Sequence, residues 1–393
     1  MNFGVLSLIV LAGLAGPLLA SGRRAFVPVV IGEIVGGLII GRSGFGAIDP
    51  TNPTLSFLSD VGFAMLMLSV GMDVPLRDPR LAGALRRGAL AAAVAIAVAP
   101  LGGFLAGWAS GVHHVAIYAV VLASASAAVV LPALEEQRLA TPETTVLIAQ
   151  ITIADVVTIV AVPLVLQPSR AGRAALGGLL VVAGAIALYV IARRLPRGFV
   201  HRARKLSRQR RWALDLRVSL LALFGLSWVA QQTGTSILIA GFSAGLVVAA
   251  LGGPKRLSRQ VLGVAAGLFV PLFFVVLGAR LDIGALFARP SLLGLTAVLL
   301  ALNVAGHLVA AAATRQPAAS ALAASAQLGV PAAVVALGLQ KHVLSAAVGS
   351  AIIVAALGSL GVSALGVTLL ARRAPGVRPK RARRAKAAAS RSS

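Results

Sequence analysis

The chain has 393 residues, 58% of them hydrophobic and 12% charged, with a mean hydropathy of +0.94 and a formal net charge of +25. Soluble domains carry about 25% charged residues, so this balance excludes an ordinary soluble enzyme and describes an integral membrane protein. With no cysteine, disulfides, thiolate metal sites and a cysteine nucleophile are excluded as well.

Thirteen apolar segments follow in chain order, at 2–20, 26–41, 54–74, 88–109, 115–134, 142–168, 174–192, 213–230, 235–252, 261–281, 291–313, 318–339 and 343–371. They run to about 20 residues, the length of a bilayer-spanning helix. They lack the apolar/polar alternation of barrel strands. The expected fold is therefore an all-α polytopic membrane protein with 13 transmembrane helices. The first segment ends in LLASG, as cleaved leaders do, but no basic residue precedes it and Arg23 and Arg24 follow. That charge order predicts a retained helix with its N-terminus outside.

Segment two contains IGEIVGG, which places Glu33 inside an apolar helix as a second proton group or a structural partner. Asp60 lies near the start of segment three, and Asp73, at its end, reads as interfacial. Segment five reads ASASAA at 123–128, including Ser126, and then Pro132. Segment twelve reads QLGVPAA at 327–333, with Gly329 and Pro331. Proline removes a backbone donor and crowds the preceding turn, so Pro132, Gly329 and Pro331 mark the expected helix breaks. Broken helices aim the partial charges of their termini into a cavity.

These two segments are related. AAVVLPALEEQRL from Ala127 resembles AAVVALGLQKHVL from Ala332, and IGEIVGGLII from Ile31 resembles IAGFSAGLVV from Ile239 at nearly the same offset. Two six-helix halves, joined by segment seven and seven segments apart, run in opposite senses. This predicts an inverted repeat with broken crossover helices and a site near the midplane.

Asp155 lies at position 14 of the 27 residues of segment six and is the only charged residue between Glu143 and Arg170. Placing an aspartate at a helix centre in the bilayer costs about 2.5–3.5 kcal/mol even on the lenient insertion scale. Such a group reads as an ion or proton site. Thr152, three residues earlier on the same face, offers a further oxygen, and Gln150 is a weaker candidate. On segment eleven, Asn303 and His307 share a face at i and i+4. His307 either titrates beside Asp155 or is a neutral, hydrogen-bonded group of the bundle. The remaining histidines fall in loops without ligand spacing. No cofactor is expected.

Basic residues fall on one side. Thirty of the 36 Lys and Arg lie in the odd-numbered loops and the tail, against six on the other side, which makes the odd loops and the C-terminus cytoplasmic. The residues after Arg372 are basic and low in complexity, expected to be disordered, to touch anionic lipid and to precede no soluble domain. Confinement of the charge to loops, with three Trp and two Tyr in all, argues against nucleic acid as a partner. High Ala and Arg content fits a bacterial inner membrane.

Four stretches together resemble one family: PVVIGEIVGGLIIGRSGFG (28–46), VGFAMLMLSVGMDV (61–74), SASAAVVLPALEEQRL with ADVVTIV, and VPLFFVVLGARLD (270–282). The chain is similar to the monovalent cation:proton antiporter-2 family of the sodium/proton exchanger superfamily. That resemblance implies a secondary antiporter, not an enzyme, exchanging Na+ or K+ for H+, with Asp155 as the ion-binding aspartate. It implies scaffold and dimerisation helices at 1–82 and 213–290, core helices at 83–168 and 291–371, a linker at 169–212, a tail at 372–393, and a homodimer. The chain departs from the family pattern at Ala154, where electrogenic members carry a first acid. It departs again at His307, where they carry lysine, at Ala127 for a threonine, and at Gly329–Pro331, where an acid is missing. One carboxylate shared by cation and proton predicts one-for-one, electroneutral exchange. A gated K+ efflux system, a transport-inactive sensor or scaffold of the same fold, and an intramembrane enzyme are the alternatives.

Overall fold

The computed structural model describes residues 2–21, 28–74, 79–210, 212–252, 260–261 and 263–373. Within them every regular element is helical. The helices are α1 Phe3–Gly13, α2 Ala15–Ala20, α3 Val29–Ile40, α4 Pro53–Met72, α5 Pro79–Ser110, α6 Val115–Ala123, α7 Ala127–Glu136, α8 Pro142–Leu166 and α9 Ala171–Arg194. They continue as α10 Arg197–Gln209, α11 Leu214–Thr233, α12 Ile237–Leu251, α13 Val270–Arg280, α14 Ile283–Phe287, α15 Pro290–Ala313, α16 Ala318–Ala324, α17 Gly329–Gln340 and α18 Ala346–Arg373.

Among the described residues, ten spans are long and apolar enough to cross a bilayer, and three shorter apolar helices (Val29–Ile40, Ile237–Leu251, Ala265–Arg280) accompany them. Each overlaps one of the thirteen sequence segments, so the chain is a multi-pass membrane protein. Helix α5 begins nine residues before its apolar segment, which puts Arg86 and Arg87 on helix rather than loop. The basic stretch after α9 is also helical: α10 reads RGFVHRARKLSRQ. The basic tail beyond Arg373, Arg23, Arg24, Arg77 and Lys255–Arg259 lie outside the described residues.

The 12-residue α3 rises about 18 Å, well short of a bilayer core of about 30 Å. It is held by close backbone approach instead. A Cβ on Gly37 would land on the Val275 carbonyl oxygen of α13. Gly245, its counterpart in the IAGFSAGLVV repeat of α12, meets the Leu68 carbonyl of α4 in the same way. Small residues let membrane helices approach to backbone contact, where packing supplies what the hydrophobic effect does not. Gly245→Leu is therefore expected to cost about 1–3 kcal/mol by overpacking. It should lower the melting temperature of the purified protein, while Gly294→Ala, which meets nothing within 4 Å, should leave it unchanged.

Helices α5–α8 pack with α15–α18, and α1–α4 pack with α11–α13, with α9 against α11 and α12. Contacts of α8 with α9 and α12, and of α14 with α18, join the two groups. The paired segments five and twelve also end alike. Helices α7 and α17 both end on a left-handed residue, Arg138 (φ 54) and His342 (φ 55). Each closes with a 6→1 hydrogen bond, Leu139 N–H to the Leu134 carbonyl and Val343 N–H to the Gly338 carbonyl, both at 2.9 Å. This is the Schellman arrangement, which satisfies carbonyls left over at a helix end. The two caps stand one residue closer in register than the pairing of Ala127 with Ala332.

Candidate ion-binding site

Segments five and twelve are each broken into two half-helices. Helix α6 stops at Ala123, Ser124 and Ser126 are extended, and α7 starts at Ala127. Helix α16 stops at Ala324, and α17 starts at Gly329 after Ser325–Leu328. Pro132 is the sixth residue of α7, inside the helix and past the break. Pro331 is the third residue of α17, in a first turn whose N–H groups have no helical partner, so its missing donor costs nothing there. The breaks themselves fall on short polar stretches. The Ser124 hydroxyl donates to the Val121 carbonyl at 2.7 Å, an alternative to continuing the helix.

Asp155 lies on α8 and is 5% exposed. Its Oδ2 accepts a hydrogen bond from the Ala127 backbone N–H at 3.2 Å, at the first residue of α7. Beside it is a cavity of ≈ 10 Å³ lined by Asp155, Ser126, Leu328, Gly329, Met67 and Val70, among others. That is room for about one water molecule. Residues at both half-helix N-termini, α7 and α17, thus reach the cavity. Each N-terminus carries about +0.5 of an elementary charge. Together they offset one ionised carboxylate. Met67 and Val70 come from α4, of the other packing group. Thr158 is spent locally, its hydroxyl donating to the Ala154 carbonyl at 2.7 Å.

The opposite, C-terminal ends of α6 and α16 are served by amides. Asn303 of α15 donates to the Ser325 carbonyl at 2.8 Å. Gln327 donates to Asn303 Oδ1 at 3.0 Å and to the Val121 carbonyl at 2.5 Å. The Gln327 N–H donates to Ser359 Oγ at 3.0 Å. All of these groups are buried. The ring of His307 faces the Ser124 backbone outside hydrogen-bond geometry, and neither ring nitrogen has a partner. Asp155 thus bonds the start of α7 while His307 faces the end of α6, and no ion pair joins them among the described residues. Gln327 carries no charge and lies in the quoted QLGVPAA motif; its being the sole amide in that apolar run was the available signal.

The remaining candidates are dispersed. Thr152 lies one turn before Asp155; its buried Oγ1 has no hydrogen-bond partner, and it does not line the cavity. Gln150 accepts from Gln316 Nε2 at 3.3 Å, toward one end of the helices. Glu33 is 3% exposed with Oε2 unpartnered. It packs against Gly16 of α2, on an element that does not line the Asp155 cavity.

Just past the end of α4, Asp73 keeps an exposed edge. Crowding of its packed side, and then the Glu135 charge of α7, push its carboxyl up to about 6. Its protonated form is the one the folded structure favours. That contribution is full below the unfolded value of about 3.9 and is lost as pH rises through about 6. Asp73→Asn is expected to raise thermal stability above pH 6 and leave it unchanged near pH 4. Equal shifts at both values would contradict the assignment.

The comparisons agree with this architecture. YjbQ of Bacillus subtilis, which carries the provisional name of a Na+/H+ antiporter, is 28% identical over 304 residues, covering 72% of this chain and 48% of its own. The chain thus spans about half the length of that relative. GerN of Bacillus cereus, a Na+/H+-K+ antiporter, is 23% identical over 265 residues, covering 65% of each. The structure of the sodium proton antiporter MjNhaP1 from Methanocaldococcus jannaschii superposes with a TM-score of 0.64 at 16% identity, covering 95% of this chain and 98% of that one. This last likeness is one of fold. With the profile of the sodium/hydrogen exchanger transmembrane family matching residues 6–373, the chain belongs to that family.

Proposed function

We propose that the protein is a secondary active antiporter that exchanges a monovalent cation, Na+ or K+, for protons by alternating access. The observation that carries this reading is the buried Asp155 carboxylate, hydrogen-bonded to the start of α7 and facing a cavity where two broken helices meet. A single carboxylate there binds the cation or the proton, never both, so exchange is one-for-one and electroneutral. The membership of the family and the names of YjbQ and GerN support the ion class.

In this reading α5–α8 and α15–α18 form a core that moves against a scaffold of α1–α4 and α11–α13, with α9 as linker. The cavity lies at their border because Met67 and Val70 of α4 close it. Thr152, Ser126, Gln150, Asn303 and His307 are supporting groups, with Glu33 a structural carboxyl of the scaffold. The basic loops face the cytoplasm of a bacterial inner membrane, the N-terminus lies outside, and the functional unit is a homodimer. The test is proton movement in proteoliposomes carrying an internal pH dye, with Na+, K+ and Li+ pulsed in turn. Cation-triggered proton flux supports the proposal. Cation flux without proton movement, or no flux from a well-folded reconstituted protein, overturns it.

A further inference from the structure

A second cavity, of ≈ 380 Å³, opens at the end of the core helices remote from the Asp155 break. Three arginines from three separate elements line it: Arg87 of α5, Arg315 in the corner after α15, and Arg373 at the end of α18. One acid, Glu143 in the first turn of α8, shares the rim, which leaves an excess of two positive charges. A guanidinium has five N–H donors. Arg87 donates to the Thr314 carbonyl at 3.0 Å. Among the described residues neither Arg315 nor Arg373 donates a side-chain hydrogen bond.

Arg315 also has a left-handed backbone, φ 53, at a helix-end position where glycine is the usual residue. The corner closes with the Gln316 N–H donating to the Ala311 carbonyl at 2.8 Å. The volume falls within the range of small-ligand sites, and guanidinium forks match phosphate oxygens bidentately.

We propose that this cavity binds a phosphate-bearing anion, braced by Arg87, Arg315 and Arg373. The bound group ties α5, α8, the α15–α16 corner and α18 together at one end. Gln316 on its rim donates to Gln150 of α8 at 3.3 Å, so occupancy is felt on the helix that carries Asp155. The anion is either a phospholipid headgroup or a soluble phosphate compound; the recognition chemistry is the same. Binding itself does not depend on the transport reading.

The experiment uses the full chain in detergent. Native mass spectrometry measures retention of phosphatidylglycerol against phosphatidylcholine, and thermal shift measures the response to pyrophosphate. Wild type is expected to retain phosphatidylglycerol selectively or to be stabilised by pyrophosphate. The first outcome assigns a lipid headgroup and the second a soluble anion. Arg87→Gln with Arg373→Gln is expected to weaken the responding arm about thirtyfold, from about 1 kcal/mol per basic residue. The paired lysine variant, which keeps the charge but not the bidentate fork, should fall between wild type and the glutamine pair. If the double variant is not monodisperse, Arg315→Gln in the exposed corner makes the same comparison, with about a fivefold loss. No selectivity in either arm, or the same response in wild type and glutamine variants, overturns the proposal.

Discussion

Asp155→Asn is expected to abolish cation-dependent proton flux, lowering it by about a hundredfold or more, while the protein still folds. The asparagine keeps a side-chain oxygen that can accept the Ala127 N–H now bound by Oδ2 at 3.2 Å, so the geometry of the break survives. It cannot ionise. A cation entering the cavity would then give up its hydration with no counter-charge. Burying an uncompensated charge costs several kcal/mol even after relaxation, and each 1.4 kcal/mol is a factor of ten. The two half-helix N-termini, now without a carboxylate to oppose them, repel the cation further. A proton has no site either. Proton flux in this variant above a tenth of wild type, with normal thermal stability, would remove Asp155 from the centre of the account.

Asn303→Leu is expected to be the most destabilising polar-to-apolar change in the core. Leucine is close to asparagine in shape but removes two bonds, to the Ser325 carbonyl at 2.8 Å and from Gln327 at 3.0 Å. A buried group left without its partner costs about 1–3 kcal/mol, so the loss is about 2–6 kcal/mol. Gln327→Leu should cost less, because the Val121 carbonyl keeps bonds from the Ser124 hydroxyl at 2.7 Å and the Ser124 N–H at 3.1 Å. Combining the two should be less than additive, since both touch the same hydrogen bond. Unfolding midpoints of the single and double variants measure this. Full additivity would mean that the amides act independently of each other.

The positions of the thirteen apolar segments were legible because a bilayer demands long runs of apolar side chains, a signal that needs no tertiary information. The repeat was legible for the same reason: both halves meet the same glycine and alanine packing demands, seen at Gly37 and Gly245. A buried carboxylate in segment six stood out as a charge where charge is costly. What the sequence hid was anything decided by contact. Proline suggested where segments five and twelve break, yet both prolines lie within the second half-helix, and the breaks fall before them at Ser124–Ser126 and Ser325–Leu328. The Asn303–Gln327 pair is built from neutral residues 24 apart, and hydropathy does not price a neutral amide as it does a charge. Helix α10 was missed because a basic amphipathic stretch reads as loop when only apolar runs are sought.

The claim that cation and proton share Asp155 is tested most directly by the pH dependence of cation affinity in proteoliposomes, with charge movement recorded in parallel. Competition for one site predicts an apparent KM for the cation that rises about tenfold per pH unit on the acidic side. The maximal rate should hold constant, and no net current should accompany exchange. A KM independent of pH, or a steady current whose sign follows the cation gradient, would contradict it.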